Sequence, residues 1–470
     1  MELTPTGIGI LIIFAVAMLR SKGGALLLLF TFFVPFSATA IVNLHSLSFS
    51  ITPYHLFGGM LVMSALISWL KCGIGEVSFD FDSPFLWMMT FIIYILVWMF
   101  GTAVTGGINI GVLLQTAMLL FGLMVTWALA ETINSMAVAR KMAITYLLSA
   151  MFVALWGIIQ GFCLNTGIQF PDDIFNNSIS QGVHFDQVLK NLDFTVHRIS
   201  SVTLEPSYFT RFLCPAVLFT IVLLGEGVGP PRLLRGCLVI FIGAVLLSTS
   251  TIGYLGMALA VAAAVFLYAQ RLLPLFGIIG AAASVVLLSM PKVLETVRLV
   301  TVDKGESGSY EIRMQSIENG LQGFFSAPFV GHGWGWYAGT SVHVVHDFLF
   351  KMLSSVGVIG TSVFMLYIIT GVAQPLAALR RLRSYSSRYA IDAAVNIEVA
   401  QLRALTLGFA AAFAMIFVLD ALATFSYFIG QQWFLLGAMV GLSRVATAWA
   451  AQYDLPRMVK PAATLRAEAG

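Results

Sequence analysis

The chain has 470 residues, of which 59% are hydrophobic and only 10% charged, and its mean hydropathy is +0.91. Soluble globular chains run at about 45–50% apolar and about 25% charged, so a soluble enzyme, a nucleic-acid-binding module and a disordered regulator are all excluded. The formal net charge of +3 says little about partners; the placement of the charges says more.

Thirteen apolar segments follow one another: 8–19, 25–42, 54–70, 85–100, 110–130, 143–162, 208–224, 234–247, 252–269, 272–290, 348–372, 404–423 and 428–442. Most are long enough, as helices, to cross or nearly cross a hydrocarbon core about 30 Å thick. Porin strands alternate in segments of about ten residues, and these runs do not alternate. The expected fold class is an all-α polytopic integral membrane protein of about thirteen transmembrane helices.

Lys and Arg collect on cytoplasmic loops. Arg20 and Lys22, Lys71, Arg140 and Lys141, Arg232 and Arg235, and Arg271 all fall on one side if the spans alternate from an outer N-terminus. So do Arg380, Arg381, Arg383, Arg388, Arg403, Arg444, Arg457, Lys460 and Arg466. The expected orientation is N-terminus periplasmic, C-terminus cytoplasmic. Residues 1–7 carry Glu2 and no Lys or Arg, so they lack the basic n-region of a cleaved signal peptide, and the first span is expected to be retained. Cys72, Cys163, Cys214 and Cys237 give no disulfide framework and read as free membrane cysteines. No metal-spaced Cys/His set is present, and neither a metal nor a cofactor is expected.

The expected organisation is N-terminal transmembrane helices (1–162), an outer loop (163–207), central transmembrane helices (208–290), a large outer loop (291–345), C-terminal transmembrane helices (346–449) and a cytoplasmic tail (450–470). The stretch 377–402 is basic and then amphipathic, suited to the inner lipid surface.

In the first outer segment, Phe185, Val188, Leu189 and Leu192 fall at helical spacing, which predicts a short interfacial helix over 182–194. It delivers His197, Arg198 and Glu205 to the membrane surface. Pro206 then opens the seventh span, with Tyr208 and Arg211 in its first turns. In the second outer segment, Ile312, Ile317, Leu321 and Phe324 form a helical stripe beside Arg313. The Gly- and Trp-rich "APFVGHGWGWY" reads as an irregular loop at the interface. His343, His346, Asp347 and Lys351 introduce the eleventh span.

Arg198, Arg211, Arg313 and Lys351 are thus expected at one depth, near the outer interface. Ionisable groups there are costly in lipid and normally face a bundle interior or a wet cavity. Guanidinium forks suit phosphate oxygens, so this cation set points to a lipid-borne diphosphate. Tyr208 and His343 join Arg211 and Lys351 as expected substrate contacts. His346 and Glu205 are the nearby groups suited to moving a proton. Plainer roles compete. A single Arg near a span end often snorkels, Glu205 suits a helix start, and His332, His343, Trp334 and Trp336 fit structural or anchoring roles. Asp420, near the outer end of the twelfth span, either pairs with one of the cations or bonds a neighbouring helix.

Three blocks resemble the O-antigen ligase and O-antigen polymerase (Wzy) superfamily of bacterial polysaccharide assembly. "RISSVTLEPSYFTRF" (198–212) is similar to an Arg…Glu-Pro-Ser block of polymerase-like members. "STSTIGYLG" (248–256) is similar to the Ser/Thr-rich turn between two central spans. "IRMQSIENGLQGFFSAPFVGHGWG" followed by "HDFLFKMLSSVGVIG" resembles the signature region that ends in Gly-x-x-Gly. The resemblance covers roughly 198–360; the N-terminal spans match only in hydropathy. It implies a GT-C-type, metal-independent membrane glycosyltransferase acting at the periplasmic face of the bacterial inner membrane. Its implied partners are a polyprenyl-diphosphate-linked oligosaccharide donor, a glycan acceptor, membrane lipid and a chain-length regulator, and no nucleic acid. Carried onto this chain, Arg198 and Arg313 bind the diphosphate, and His346 or Glu205 deprotonates the acceptor hydroxyl.

The chain also departs from the family. Thr249 and Thr251 stand where many ligases carry Arg in the turn, and His346–Asp347 stands for His-Asn. The Glu-Pro-Ser block favours polymerase over ligase. A flippase or transporter competes as a different class, but no internal halves are visible and the conspicuous charges gather at one face.

Overall fold

The computed structural model describes residues 1–20, 24–72, 83–104, 110–179, 188–189, 196–268, 308–336, 348–388, 393–422 and 430–458. In chain order the helices are α1 (Pro5–Arg20), α2 (Ala25–Phe33), α3 (Pro53–Cys72), α4 (Pro84–Val104), α5 (Ile110–Thr132), α6 (Met136–Thr166) and α7 (Pro206–Gly225). They continue as α8 (Pro231–Leu247), α9 (Thr251–Tyr268), α10 (Gly308–Ser326), α11 (Phe348–Arg388), α12 (Ala393–Leu422) and α13 (Gln431–Met458). Among the described residues eight helices, α3, α5, α6, α7, α9, α11, α12 and α13, are long and apolar enough to cross a membrane. The expected helical, polytopic class holds. The segment 272–290, expected as the tenth span, lies outside the described residues.

Two expectations need correction. Segment 25–42 is helical only over Ala25–Phe33. Pro35 has no N–H to continue the helical hydrogen-bond ladder, and nine residues rise only about 13 Å. The remainder leads into strand β2 (Val42–Leu44), which pairs antiparallel with β1 (Glu2–Leu3) and β3 (Phe49–Ile51). The helix expected over 182–194 is also not formed throughout. Val188–Leu189 is strand β4, paired antiparallel with β5 (Val196–His197). A short apolar spacing does not separate helix from strand, and the β-branched Thr195–Val196 pair favours the extended form.

The core is built around α7, which is almost wholly buried. It packs on α12, α8 and α6. Tyr146 of α6 gathers the rings of Phe212 and Phe219 from α7, Phe409 from α12 and Phe434 from α13 within 5.6–5.7 Å. In lipid, association rests on such packing and on small residues that let backbones approach. Gly253 and Gly256 of α9 do this against α7: an added Cβ would lie 2.6 Å from Thr210 and 2.6 Å from Cys214. Cys163, Cys214 and Cys237 are free, as expected.

One end of the bundle collects two ion pairs and a further arginine hydrogen bond. Arg403 bonds Glu226 at the C-terminal end of α7, Arg444 bonds Glu131, and Arg140 bonds Gln401. The other end, about 20 Å away along α7, holds Arg211.

α11 is two helices in one. Gly357 interrupts it with φ 64° and ψ −171°. Phe348 packs 5.8 Å from Phe364 across this break. A straight helix would separate them by about 24 Å, so the first half of α11 folds back along the second.

Candidate active site

The first outer segment reaches α7 through a short irregular run that is anchored from α6. The Gln160 side chain is fully buried, and its Oε1 accepts from the backbone N–H of Ser200 (3.0 Å) and of Ser201 (2.7 Å). The Ser201 hydroxyl donates to the Val153 carbonyl at 2.8 Å. Ser201 adopts φ 57°, a left-handed conformation uncommon for a side-chain-bearing residue. These three bonds hold it there. Thr203 donates to the Ser200 carbonyl at 2.7 Å. Glu205 then stands extended at the start of α7, and Pro206 supplies the preset φ that opens the helix.

Arg198 lies at the near end of this run, half-buried. Glu205 and Tyr254 both interact with it electrostatically. Burial holds its guanidinium below the ordinary value, partly offset by the Glu205 carboxylate and Tyr254. Arginine remains cationic in proteins, so the site keeps a positive charge. Glu205 is exposed and accepts from the Ser207 hydroxyl at 3.1 Å.

Arg211 has a different setting. Its side chain is 3% exposed, and Nη1 donates to Asp420 Oδ1 of α12 at 2.9 Å. Nε donates to the Ser207 carbonyl at 3.4 Å. The Tyr208 ring lies under the guanidinium, 4.0 Å from its carbon. Of the two roles the sequence left open for Asp420, the structure shows the ion pair. Arg211 and Tyr208, expected as substrate contacts, here form an enclosed cation–carboxylate–aromatic set.

The start of α11 approaches the Arg211–Asp420 pair. Phe348 packs 5.9 Å from Phe417, one turn before Asp420 on α12. Lys351 follows Phe348 by about one turn on the folded-back half of α11 and is 5% exposed. The helix expected around Ile312–Phe324 is present as α10. The backbone of Arg313 is part of it; its side chain, and all of His343, His346 and Asp347, lie outside the described residues.

The break in α11 is filled by the Gly-rich loop. His332 N–H donates to the Ser354 carbonyl (3.0 Å) and Gly333 N–H to that of Ser355 (2.8 Å). Val358 and Ile359 N–H donate to the carbonyls of Pro328 (2.9 Å) and Phe329 (3.1 Å). The loop thus satisfies backbone groups that the break would orphan. It does so at a closeness only glycine permits: a Cβ on Gly331 would sit 2.4 Å from Ser355 backbone, and one on Gly357 would sit 2.3 Å from the Phe329 carbonyl. Tyr94 and Trp98 of α4 seal the joint by donating to the Val330 carbonyl. His332 is structural: Nε2 lies 2.7 Å from the Ser326 hydroxyl and 3.0 Å from the Gly323 carbonyl, at the end of α10.

The family model of the O-antigen ligase domain (Wzy_C) matches residues 236–365. It takes in most of α8, all of α9 and α10, the Gly-rich loop, the break and the first part of the second half of α11. The O-antigen ligase domain supports a role in polysaccharide assembly for this polytopic membrane chain. The match does not extend to Arg198, Glu205, Arg211 or Asp420, which pack around it from α7, its approach and α12. No curated protein matches the chain.

Sequence reasoning missed Gln160, Tyr254 and the backbone joint. A lone glutamine in an apolar span was the available signal for the first. For the joint it was the pairing of Gly-x-Gly with Gly-x-x-Gly.

Proposed function

We propose that the chain is a polysaccharide polymerase. It transfers glycan from a polyprenyl-diphosphate-linked donor to a sugar hydroxyl at the periplasmic face of the bacterial inner membrane. The observation that carries this reading is Arg198. It is a half-buried cation just ahead of α7, within electrostatic reach of Glu205 and Tyr254 and next to the stretch that matches the O-antigen ligase model.

In this reading the acceptor oxygen attacks the anomeric carbon of the donor glycan. The bond from that carbon to the phosphate oxygen breaks, and polyprenyl diphosphate leaves with the electron pair. Arg198 and Arg313 stabilise the charge that develops on the diphosphate; preorganised cations aimed at such charge are a large contribution to catalysis. Glu205 or His346 takes the proton from the acceptor. Lys351, His343, Tyr208 and Arg211 serve as further donor contacts or support them. The reading requires neither metal nor nucleotide. The expected orientation, N-terminus periplasmic and C-terminus cytoplasmic, is supported by the gathering of Arg140, Arg403 and Arg444 at the opposite end of α7.

A ligase, moving the finished glycan to lipid A core or protein, is favoured by one observation: the matching family model is described as O-antigen ligase. Incubating purified protein with lipid-linked repeat alone separates the two. Longer lipid-linked chains are the expected result. No extension until an acceptor is added makes the protein a ligase. No transfer in either case overturns the proposed reaction.

A further inference from the structure

The loop 170–178, which follows α6, is tied to the run 198–205 at two points. Gln160, whose Oε1 holds the N–H groups of Ser200 and Ser201, donates from Nε2 to Asp172 Oδ1 at 3.3 Å. Ala38 makes the second tie. Its N–H donates to the Val202 carbonyl and its carbonyl accepts from Ser178 N–H, both at 3.1 Å. Asn176 N–H donates to the Asp172 carbonyl at 3.0 Å, so Asn176 stands one turn from the residue that Gln160 grips. The loop is therefore held against the two serines that follow Arg198.

Buried polar groups without partners gather here. Asn176 is 5% exposed, yet among the described residues neither its Oδ1 nor its Nδ2 finds a hydrogen-bond partner. The Ser200 hydroxyl, in a residue 2% exposed, finds none either. Nor does Nε1 of Trp156, one turn before Gln160 on α6, whose ring packs 5.1 Å from that of Phe175 beside Asn176. Such groups are normally bonded, because burying them unmet is costly. The cover over them is slight: Asp173 and Ile174 of the same loop are exposed. The chemistry of the set is selective. Asn176 Oδ1 needs a donor and Nδ2 an acceptor. Ionised phosphate oxygens only accept, and a polyprenyl tail does neither. A sugar hydroxyl does both.

We propose that Asn176 and Ser200 form a sugar subsite, which binds hydroxyls of the glycan carried on the diphosphate at Arg198. The proposal rests on the reading of Arg198 as a diphosphate ligand. An internal water, which also donates and accepts, is the competing partner. The two differ in what they support. A water bridge braces the free protein, whereas a sugar contact adds nothing to the fold until the glycan binds.

The test is binding of two lipids to the full chain in nanodiscs, undecaprenyl diphosphate and the lipid-linked repeat, with thermal unfolding measured alongside. Wild-type protein should bind the repeat more tightly than the bare lipid. Asn176→Leu removes both amide groups at similar volume, and Ser200→Ala removes only the hydroxyl. Each should raise the Kd for the repeat several-fold to about tenfold. Each should leave the Kd for the bare lipid unchanged and the unfolding temperature no lower than wild type. Ser200→Ala, the smaller change, decides the matter if Asn176→Leu does not fold. An unchanged Kd for the repeat in either folded variant overturns the proposal, and a lowered unfolding temperature alongside it assigns the groups to an internal water. Equal weakening of both lipids also overturns it, because the lost contact is then not with sugar. Wild-type protein that binds neither lipid fails the diphosphate reading itself, an outcome seen before any variant is made.

Discussion

Arg211 of α7 and Asp420 of α12 form an ion pair of 2.9 Å with both side chains almost wholly enclosed. A pair so deeply desolvated contributes little net stability while intact, yet removing one partner strands the other charge and costs about 3–5 kcal/mol. Asp420→Ala should therefore lower stability markedly in thermal unfolding of detergent-purified protein. The paired replacement of Arg211 and Asp420 by Met and Leu should recover most of the loss. If Asp420→Ala unfolds like wild type, the pair is not closed as described.

The joint between the Gly-rich loop and α11 makes a sharper prediction. Gly331→Ala and Gly357→Ala each set a Cβ within 2.5 Å of opposed backbone, at positive φ. Strain of this conformation alone costs about 1–3 kcal/mol, and the clash adds to it. Both variants should lose folded protein or transfer activity. Gly167→Ala is the control: its φ is 74°, but nothing lies within 4 Å of the added carbon. It should cost about 1 kcal/mol. Equal behaviour of all three, measured by yield of monodisperse protein, would contradict the joint.

Gln160→Leu removes one oxygen that serves two backbone N–H groups. Leaving a buried donor unsatisfied costs about 1–3 kcal/mol. The run that places Arg198 and Glu205 should loosen, so transfer should fall more steeply than the amount of inserted protein. Gln160→Glu, which retains an acceptor, should do less damage. Parallel losses of activity and of protein in Gln160→Leu would mean that Gln160 supports the bundle alone.

Much of this architecture is legible in the sequence, because long apolar runs mark membrane-spanning helices directly. The helices α7, α9, α12 and α13, the stripe of α10 and the place of Asp420 within α12 all follow from it. What hydropathy does not register is backbone chemistry. Pro35 ends α2 inside an apolar run. The β4–β5 pairing rests on partners seven and nine residues apart, and a spacing of three or four apolar residues says nothing of them. The fold-back of α11 depends on hydrogen bonds exchanged between Pro328–Gly333 and Ser354–Ile359. In the sequence only glycines mark it. For the site, the residue types were readable but not their division of labour. Arg198 and Arg211 look equivalent along the chain. One borders an opening while the other is closed onto a carboxylate, because α12 brings Asp420 to Arg211.

The central claim is that cations from the two outer segments meet around one lipid diphosphate. It is tested most directly by photo-crosslinking a polyprenyl diphosphate analogue, carrying its reactive group next to the phosphates, to the purified chain and mapping the labelled peptides by mass spectrometry. Label on peptides spanning 198–211 and on peptides spanning 308–326, lost from both in Arg198→Ala, is the predicted result. Label confined to one segment, or found at the opposite end around Arg403 and Arg444, would contradict it.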